Sequence, residues 1–434
     1  MAEATVVALI LAITIAIGII TSVPIAVSIG VASLLAGVAV LGPSDAGEVL
    51  AGRTFTAMNS FTLLAIPLFV LAGVLMANGG IAGRLIDAAK VVVGRAPSSL
   101  GATTIAANGM FGAVSGAAVA AAAAVGSVTV PRMKEEGYNP RLAAAVNVVS
   151  APAGMLIPPS NTFIVYSLVG STSVAALFMA GVVPGIIWVV ACIITLMIVN
   201  RGYKGIRAEL TFKKALRVLW RAVPSLAMVV VVVGGILAGF FTATESAAIA
   251  VAYCLVLALA YGNVGVSDLP RILLDAGRTT SVVMILVGVS GALAWILSYA
   301  RIPQLVSDAM LGISENQYII MLLILLMMLL VGTFMDPTPA ILIFVPIFLP
   351  IISDFGIHPV QFGAIVVMAM AIGSITPPVG NVLFIGARIA SEPVEQVARK
   401  ALPFYGALIL ALVAVAFIPA LSMWLPTVAG LVAP

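Results

Sequence analysis

The chain has few charged residues, one histidine and two cysteines. Only 8% of its 434 residues are Asp, Glu, Lys or Arg, whereas a soluble domain carries about 25%. That shortage excludes a soluble enzyme and a disordered chain. Cys192 and Cys254 both lie in apolar runs, so a disulfide scaffold is excluded and we expect both to be packing residues.

Apolar residues make up 62% of the chain and form long uncharged runs, which are typical of membrane-spanning helices. The net charge of +4 comes from basic residues spread over connecting segments, so nucleic-acid binding is not expected. No basic region precedes the first apolar run, which favours a retained helix over a cleaved signal peptide.

Ten full spans are predicted from the apolar runs. They lie at 4–20, 24–41, 60–77, 142–169, 174–199, 222–241, 245–262, 279–298, 361–387 and 402–426.

Two other apolar stretches have the wrong length for full spans. Residues 96–131 contain no charge and would form a helix about 54 Å long, against a hydrocarbon core of about 30 Å. Residues 316–353 contain one acid, Asp336. Two spans and a turn would need more than about 40 residues. We therefore predict re-entrant helical hairpins at 98–131 and 316–353, buried in protein or lining a cavity.

The basic residues assign these segments to two sides of the membrane, because cytoplasmic loops carry an excess of Lys and Arg. The segment 200–221 holds seven of them, and eleven more fall in segments on the same side, so 18 of the 20 basic residues are predicted to be cytoplasmic. Those further cytoplasmic segments are 78–97, 132–141, 263–278 and 388–401. Only Arg53 and Arg301 then face outwards, and both termini are predicted to be periplasmic.

The two halves share glycines and prolines at a separation of 219 residues. Pro131, Gly137, Pro140, Gly154, Pro158 and Pro159 are matched by Pro350, Gly356, Pro359, Gly373, Pro377 and Pro378. With one inserted residue Asn161 matches Asn381, and at a shift of 221 Ser115 matches Asp336 near the hairpin tips. These residue types make the strongest demands on the backbone, so the pattern indicates an internal repeat.

The repeat predicts the fold class. Five spans in each half is an odd number, so the second half, 222–434, should be inverted in the membrane relative to the first, 1–199, with 200–221 as a cytoplasmic basic linker. We therefore predict an all-α polytopic membrane protein of two inverted repeats, each with five full spans and one re-entrant hairpin. Inverted repeats with interrupted helices are the architecture of secondary transporters.

Paired prolines interrupt one predicted span in each half. Pro158 and Pro159 fall inside 142–169, and Pro377 and Pro378 fall inside 361–387. A helix broken there frees carbonyl groups for a cation such as Na⁺ and exposes a helix N-terminus that suits an anion. The alternative is an ordinary proline kink, although two pairs in repeat register favour the functional interpretation.

Few ionisable residues lie at membrane depth. Asp336 is the only charge in its hairpin, and such acids are costly and usually functional; the alternative is a solvated Asp-Pro turn. Glu245 follows Thr244 in a pattern typical of a helix cap. His358 precedes Pro359 in an outer loop and belongs to no triad or metal cluster.

Five sequence runs resemble the large membrane subunit of tripartite ATP-independent periplasmic (TRAP) transporters. They are GMFGAVSGAAVAAAAAVGSV, GMLIPPSN, TATESAA, GTFMDPTPA and GSITPPVGN. The resemblance extends over essentially the whole chain. It implies a sodium-driven importer of organic acids such as C4-dicarboxylates or sialic acids, built as a scaffold beside an elevator-type transport domain in the bacterial inner membrane. The implied partners are a periplasmic substrate-binding protein and a small four-helix membrane subunit, which is not expected to be fused here.

The same resemblance implies two or more Na⁺ ions, held where each hairpin tip meets an interrupted helix. The implied Na⁺ residues are Asn108, Gly109, Ser115, Gly154, Pro158 and Ser160 in the first half and Gly332, Thr333, Asp336, Gly373, Thr376 and Gly380 in the second. Substrate contacts are expected from Ser115, Asn161, Asp336, Thr338 and Asn381.

The outward-facing arginines are candidates for partner docking. Arg53 and Arg301 could pair with acids on the binding protein, where charge complementarity sets encounter rate and register. The alternative is that both side chains anchor to lipid headgroups at the edge of the bilayer.

Three competing functions remain to be weighed. A stand-alone sodium–organic anion symporter would show similar hairpins and repeats but need no binding protein. An intramembrane hydrolase would need a nucleophile–base pair or a metal cluster, for which only Asp336 and Glu245 are available at depth. A channel would not need two inverted sets of hairpin and interrupted helix. Separately, the absence of the nucleotide-binding pattern GxxxxGK[ST] argues against ATP-driven transport.

Overall fold

The computed structural model of the protein describes residues 2–21, 23–94, 98–201 and 212–432. Within those ranges the chain forms α-helices and two short 3₁₀ helices, Phe61–Leu64 and Val266–Asp268, with no strand. Eight helices there are long and apolar enough to cross a membrane, or nine if a bent pair counts as one span. The prediction of an all-α polytopic membrane protein is therefore confirmed.

Helices of the first half are numbered α1 to α11. They are α1 (Ala2–Ile20), α2 (Ile25–Leu41), α3 (Pro43–Met58), α4 (Ala65–Asn78), α5 (Ile81–Val93), α6 (Ser99–Ser115), α7 (Ala118–Glu135), α8 (Pro140–Ser150), α9 (Ala153–Leu156), α10 (Asn161–Gly170) and α11 (Val174–Val199).

The second half contributes α12 to α21. They are α12 (Phe212–Leu237), α13 (Ala243–Ala260), α14 (Leu269–Tyr299), α15 (Ile302–Leu311), α16 (Gln317–Phe334), α17 (Pro337–Asp354), α18 (Pro359–Gly373), α19 (Asn381–Ala390), α20 (Val394–Phe417) and α21 (Ala420–Val428).

Helix boundaries recur between the halves. The helices α8 and α18 begin at Pro140 and Pro359, since proline suits the first position of a helix, where no N–H donor is needed. Each is preceded by a glycine of positive φ, 86° at Gly137 and 72° at Gly356. Inversion of one half relative to the other in a membrane stays a prediction.

One predicted pairing of the repeat is corrected. The residue preceding α7 is Ala117 and the residue preceding α17 is Asp336, which keeps the 219-residue separation at the hairpin tips. Ser115 is the last residue of α6 and therefore corresponds to Phe334 rather than to Asp336. The shift of 221 was wrong because it matched polar side chains rather than backbone positions.

Two segments that lie outside the predicted spans and hairpins contain helices. Residues 42–59 include α3, and 299–315 include α15. Glycines of α14 let α3 approach closely: a Cβ on Gly291 would lie 2.2 Å from that of Ala57. The apolar runs left α3 outside the predicted spans, whereas packing against another helix stabilises its helical structure.

Two further boundaries differ from the sequence prediction. The span predicted at 402–426 is divided, because α20 ends at Phe417 and Pro419 precedes the separate helix α21. Proline disfavours a helical conformation in the residue before it. Part of the predicted linker 200–221 is helical, since α12 begins at Phe212; Lys204 and Arg207 of that linker, with Arg95, lie outside the described residues.

The helices pack as two groups. The first helix group contains α1 to α5 with α12 to α15, where α13 packs on α4 and α14 packs on α2, α3 and α4. The second helix group contains α6 to α11 with α16 to α21, where α16 packs on α18, α20 on α8, and α11 on α20 and α21. The groups meet where α14 and α15 pack on α17 and where α5 packs on α6.

Two contacts between connecting segments join residues that are predicted to lie on the same side of the membrane. Arg141 and Glu392 form an ion pair of 3.2 Å between two segments predicted to be cytoplasmic. Tyr166 donates a 2.6 Å hydrogen bond to the Pro359 carbonyl, and both lie near predicted outer loops. These contacts agree with the predicted layout, and the orientation itself stays a prediction.

Candidate functional site

The first hairpin consists of α6 and α7 joined by two residues. Gly116 ends α6 with φ of 62°, a conformation that glycine adopts without a steric penalty. Ser115 is buried, with 4% of its surface exposed. Its Cα lies so close to α4 that a Cβ added to Gly73 would be only 3.3 Å away. The tip therefore lies against α4 of the first helix group.

The first interruption separates α9 from α10 at residues 157–160. Ser160 caps α10: its Oγ accepts a 3.4 Å hydrogen bond from the Phe163 amide and donates a 2.6 Å bond to the Met155 carbonyl. Asn161 begins α10 beside the hairpin tip, where a Cβ on Gly116 would lie 3.3 Å from its Cγ. The Asn161 Oδ1 atom is buried without a hydrogen-bond partner.

The second hairpin, α16 and α17, meets the second interruption, residues 374–380, through direct hydrogen bonds. Asn381 Nδ2 donates a 2.9 Å bond to Asp336 Oδ2, so the residue that begins α19 contacts the hairpin tip. The Thr333 carbonyl accepts 3.2 Å bonds from the amides of Val379 and Gly380. In both halves, the asparagine that follows the interruption lies at the tip of a hairpin.

A pair of glycines brings each hairpin against its interrupted helix. A Cβ on Gly154 would lie 2.1 Å from the Cα of Gly112, and one on Gly373 would lie 2.5 Å from the Cα of Gly332. Real Cβ atoms do not approach this closely, so both crossings require glycine. The sequence analysis included Gly154, Gly332 and Gly373 among the implied Na⁺ residues but missed Gly112, which precedes Gly332 by 220 residues and is therefore one residue out of the 219-residue register.

Four helices begin at these tips and interruptions, and they pack in two pairs. The helix α10 packs on α17, and α19 packs on α7. No side chain caps the N-termini of α7, α17 and α19, whereas Ser160 caps α10. Uncapped N-termini carry partial positive charge and unpaired N–H donors, so those of α7 and α19 suit an anion. The N-terminus of α17 does so less, because Pro337 and Pro339 lack an N–H and the acid Asp336 precedes it.

The two tips differ in exposure. Asp336, Pro377, Pro378 and Val379 are exposed around the second tip, whereas Pro158, Pro159 and Ser160 are buried around the first. This conformation therefore gives access to the second tip and closes the first.

Asn108 and Gly109 do not lie at a tip. They precede the end of α6 by about two helical turns, and Asn108 Nδ2 donates to Asn147 Oδ1 at 3.0 Å and to Ser150 Oγ at 2.8 Å. The Asn108 Oδ1 atom is buried and unpartnered. Asn147, fully buried in α8, was missed by the sequence analysis, although an asparagine in an otherwise apolar helix was its signal.

Thr338 and Thr376 lie near the second tip without contacting Asp336 by a hydrogen bond. Thr338 is half-buried in the first turn of α17. Thr376 Oγ1 donates a 2.7 Å bond to the Ile372 carbonyl, which leaves its lone pairs free to accept.

The oxygen atoms at the two tips differ in how well they could bind Na⁺. The unpartnered Asn161 Oδ1 at the first tip and the Asp336 carboxylate at the second are suitable oxygen ligands. The Thr333 carbonyl already accepts two N–H groups and therefore does not fit that role in this conformation. Among the described residues no three His, Cys, Asp or Glu side chains converge, as a transition-metal site would need.

The remaining candidate residues lie away from the tips. The guanidinium of Arg53 lies 5.2 Å from the ring centroid of Trp295, and Arg301 precedes α15 with φ of 54°; both are exposed. Glu245 and Thr242 form a capping box at the start of α13, which confirms a cap but places it at Thr242 rather than Thr244.

His358 caps α18 and has a lowered pKa. Its Nδ1 accepts a 3.1 Å hydrogen bond from the Val360 amide. Partial burial lowers the pKa of the imidazole, because desolvation disfavours its charged form.

Residues 12–421 match the family described as "Tripartite ATP-independent periplasmic transporter, DctM component". The chain is 46% identical to an uncharacterised Salmonella typhimurium protein, YgiK, over 93% of this chain and 94% of that protein. It is 36% identical to the C4-dicarboxylate TRAP transporter large permease protein of Pseudomonas aeruginosa, over 89% and 91% of the two chains.

A solved structure shares the fold. The crystal structure of the Alcanivorax borkumensis YdaH transporter aligns with a TM-score of 0.63 over 89% of each chain, at 14% sequence identity. At that identity the similarity concerns the fold alone.

Proposed function

The chain belongs to the DctM component family of the tripartite ATP-independent periplasmic transporters, and from that premise we propose that it imports an organic acid driven by sodium. It is a transporter permease of the bacterial inner membrane with multiple spans, and not an enzyme. The proposed cycle moves the second helix group against the first, which acts as a scaffold, in an elevator-type motion.

The contact between each hairpin tip and the asparagine after each interruption carries this proposal. Asn161 lies on Gly116, and Asn381 donates to Asp336. Polar groups at this depth are costly in a membrane protein and are retained where they bind a substrate or ion. Two such contacts in repeat register agree with two sodium sites, one at each tip.

The same region supports an anionic substrate. The uncapped N-termini of α7 and α19 favour a carboxylate, and Asn161 and Asn381 can donate hydrogen bonds to it. A relative at 36% identity is named for C4-dicarboxylates and another, at 35%, for sialic acid. We therefore propose a carboxylate of one of these classes.

Two protein partners complete the proposed transporter: a periplasmic binding protein that delivers the substrate, and a small four-helix membrane subunit. The tripartite description of the family supports this assembly. Arg53 and Arg301 are the proposed docking residues on the outer face.

Reconstituted uptake tests the proposal. The chain is inserted into proteoliposomes together with its small subunit, with the binding protein and a labelled C4-dicarboxylate or sialic acid supplied outside. Uptake should require an inward Na⁺ gradient and proceed without ATP. Undiminished uptake after replacing Na⁺ with K⁺ or choline would contradict sodium coupling.

A stand-alone sodium–organic anion symporter is the second candidate. Its specific support is that both tips and both interruptions lie within this one chain. Uptake at an unchanged rate after omission of the binding protein would favour it over the tripartite assembly.

A further inference from the structure

A tyrosine hydroxyl in the next helix bonds to the backbone of the second interruption. Tyr405, in α20, donates a 2.6 Å hydrogen bond to the carbonyl of Ile375. Both residues are buried, with 7% and 0% of their surfaces exposed, and α20 packs on α18 and on α19. The helix that follows the interrupted helix therefore contacts the interruption itself through a specific bond.

Ile375 lies beside the residues that reach the second tip. A Cβ on Gly380 would lie 3.3 Å from the carbonyl carbon of Ile375, and the amide of Gly380 donates to a carbonyl of α16. The next residue, Asn381, donates to Asp336. A short series of contacts thus connects the hydroxyl of Tyr405 to the hairpin tip, so a shift of Ile375 would move the residues that meet Asp336.

The equivalent carbonyl of the first half is held by packing instead. Leu156 precedes Ile375 by 219 residues, and a Cβ on Gly181 of α11 would lie 2.2 Å from the carbonyl oxygen of Leu156. The residue of α11 that corresponds to Tyr405 is Ile186, whose side chain is 54% exposed. In both halves the next helix contacts this carbonyl, by close approach in the first half and by a hydrogen bond in the second.

The exposure of the second interruption gives the physical reason for this difference. Residues 377–379 are exposed, whereas residues 158–160 are buried. Surrounding side chains restrict a buried segment, but an exposed segment with few such contacts opens more readily. A tyrosine suits the second case, because its ring packs among apolar groups while its hydroxyl requires a hydrogen-bond partner when buried.

We propose that Tyr405 is a positioning residue for the second tip: its hydroxyl holds residues 375–380 in the arrangement that sets Asn381 against Asp336. Without the hydroxyl, the interruption adopts this arrangement in a smaller fraction of molecules. The apparent affinity for an ion that binds the intact tip falls with that fraction, whereas the rate at saturating ion does not. This consequence for sodium rests on the proposed function, and the positioning itself does not.

Two variants that each lose one hydroxyl test the proposal. Tyr405→Phe removes the bond to Ile375, and the matched control, Tyr166→Phe, removes a bond of the same 2.6 Å length to the carbonyl of Pro359. Pro359 begins α18, and the interruption follows the other end of that helix, about 21 Å away at 1.5 Å per residue. The control therefore loses the same kind of bond far from the second tip.

Amide hydrogen exchange of the full chain in lipid nanodiscs measures the positioning without reference to sodium. In Tyr405→Phe, peptides that contain Val379 and Gly380 should exchange about fivefold faster than in the wild type. That factor corresponds to roughly 1 kcal/mol, the net worth of a typical hydrogen bond. Tyr166→Phe should leave these peptides at the wild-type rate. Unchanged exchange in Tyr405→Phe, or an equal increase in both variants, would overturn the proposal.

Uptake into proteoliposomes measures the consequence for the site. The Na⁺ concentration for half-maximal uptake should rise about fivefold in Tyr405→Phe, with the maximal rate at saturating Na⁺ unchanged, and should keep its wild-type value in Tyr166→Phe. A reduced maximal rate with the same half-maximal concentration would show that Tyr405 only stabilises the fold, and would contradict the positioning role. If wild-type uptake does not depend on Na⁺, the sodium proposal fails, and hydrogen exchange alone decides whether Tyr405 positions the tip.

Discussion

Replacing Gly373 with alanine should force the second hairpin away from its interrupted helix. The added Cβ would lie 2.5 Å from both the Cα and the carbonyl carbon of Gly332. Both contacts are with backbone, which cannot rotate away as a flexible side chain could. The crossing must therefore open, and Asp336 and Asn381 would move with the two segments they belong to.

The size of the effect follows from the contact. Overpacking costs about 1–3 kcal/mol, and contact with backbone places this case near the upper end. Alanine recovers about 0.5–1 kcal/mol relative to glycine in a helix, which leaves a net cost of about 2 kcal/mol. At 1.4 kcal/mol per factor of ten, the packed crossing is disfavoured by roughly thirtyfold. If Na⁺ binds the packed arrangement, the Na⁺ concentration for half-maximal uptake should rise by up to about thirtyfold.

Sodium titration of uptake into proteoliposomes measures this shift. The matched control is Gly406→Ala in α20, because no atom lies within 4 Å of a Cβ built there; it should transport like the wild type and be slightly more stable. Size-exclusion chromatography checks that both variants fold. A Gly373→Ala protein with the same Na⁺ dependence as Gly406→Ala would refute the role assigned to the crossing.

Three other outcomes are expected. Asp336→Asn should reduce labelled-substrate uptake at least tenfold, since a hydrogen bond to a charged group is worth about 1.5–3 kcal/mol, while Asp45→Asn on the exposed start of α3 should be near neutral; equal small effects would leave Asp336 as a turn residue. Arg53→Glu and Arg301→Glu, made separately, should each raise the binding-protein concentration for half-maximal uptake, and no change in either would favour contact with lipid headgroups. The lowered pKa of His358 means that the folded state prefers the neutral imidazole, so its contribution to stability is present above its ordinary pKa of about 6.5 and lost as the pH falls below it. Thermal unfolding should show a loss of about 1 kcal/mol, the usual worth of an N-cap, between neutral and mildly acidic pH, and His358→Asn, a cap that does not titrate, should remove that dependence; identical pH profiles would contradict it.

The membrane class and the segments that carry the site could be predicted from composition and from proline and glycine. The shortage of charge excludes a soluble fold, and the length of the uncharged run 96–131 excludes a single span. The proline pairs at 158–159 and 377–378 lie between helices in the structure, because proline lacks the N–H that would continue a helix. These are local constraints on the backbone, so they can be predicted from the residue types alone.

Other features depend on contacts between distant segments. The apolar runs did not predict α3, yet α3 is a helix that packs closely on glycines of α14. Asn108 has the residue type of an ion ligand, yet its amide donates to Asn147 and Ser150 in α8. Neither outcome could be predicted from one segment alone.

By itself the sequence determined that this protein spans a membrane, that its two halves share a spacing of prolines and glycines, and that one helix in each half is interrupted, because these follow from hydrophobicity and from the backbone limits of proline and glycine. Only the tertiary structure decided which atoms meet. It places Asn381 on Asp336, Gly112 on Gly154, and the hydroxyl of Tyr405 on the carbonyl of Ile375. Such contacts depend on the shape of both surfaces at once, and that information is not contained in the local pattern of either segment.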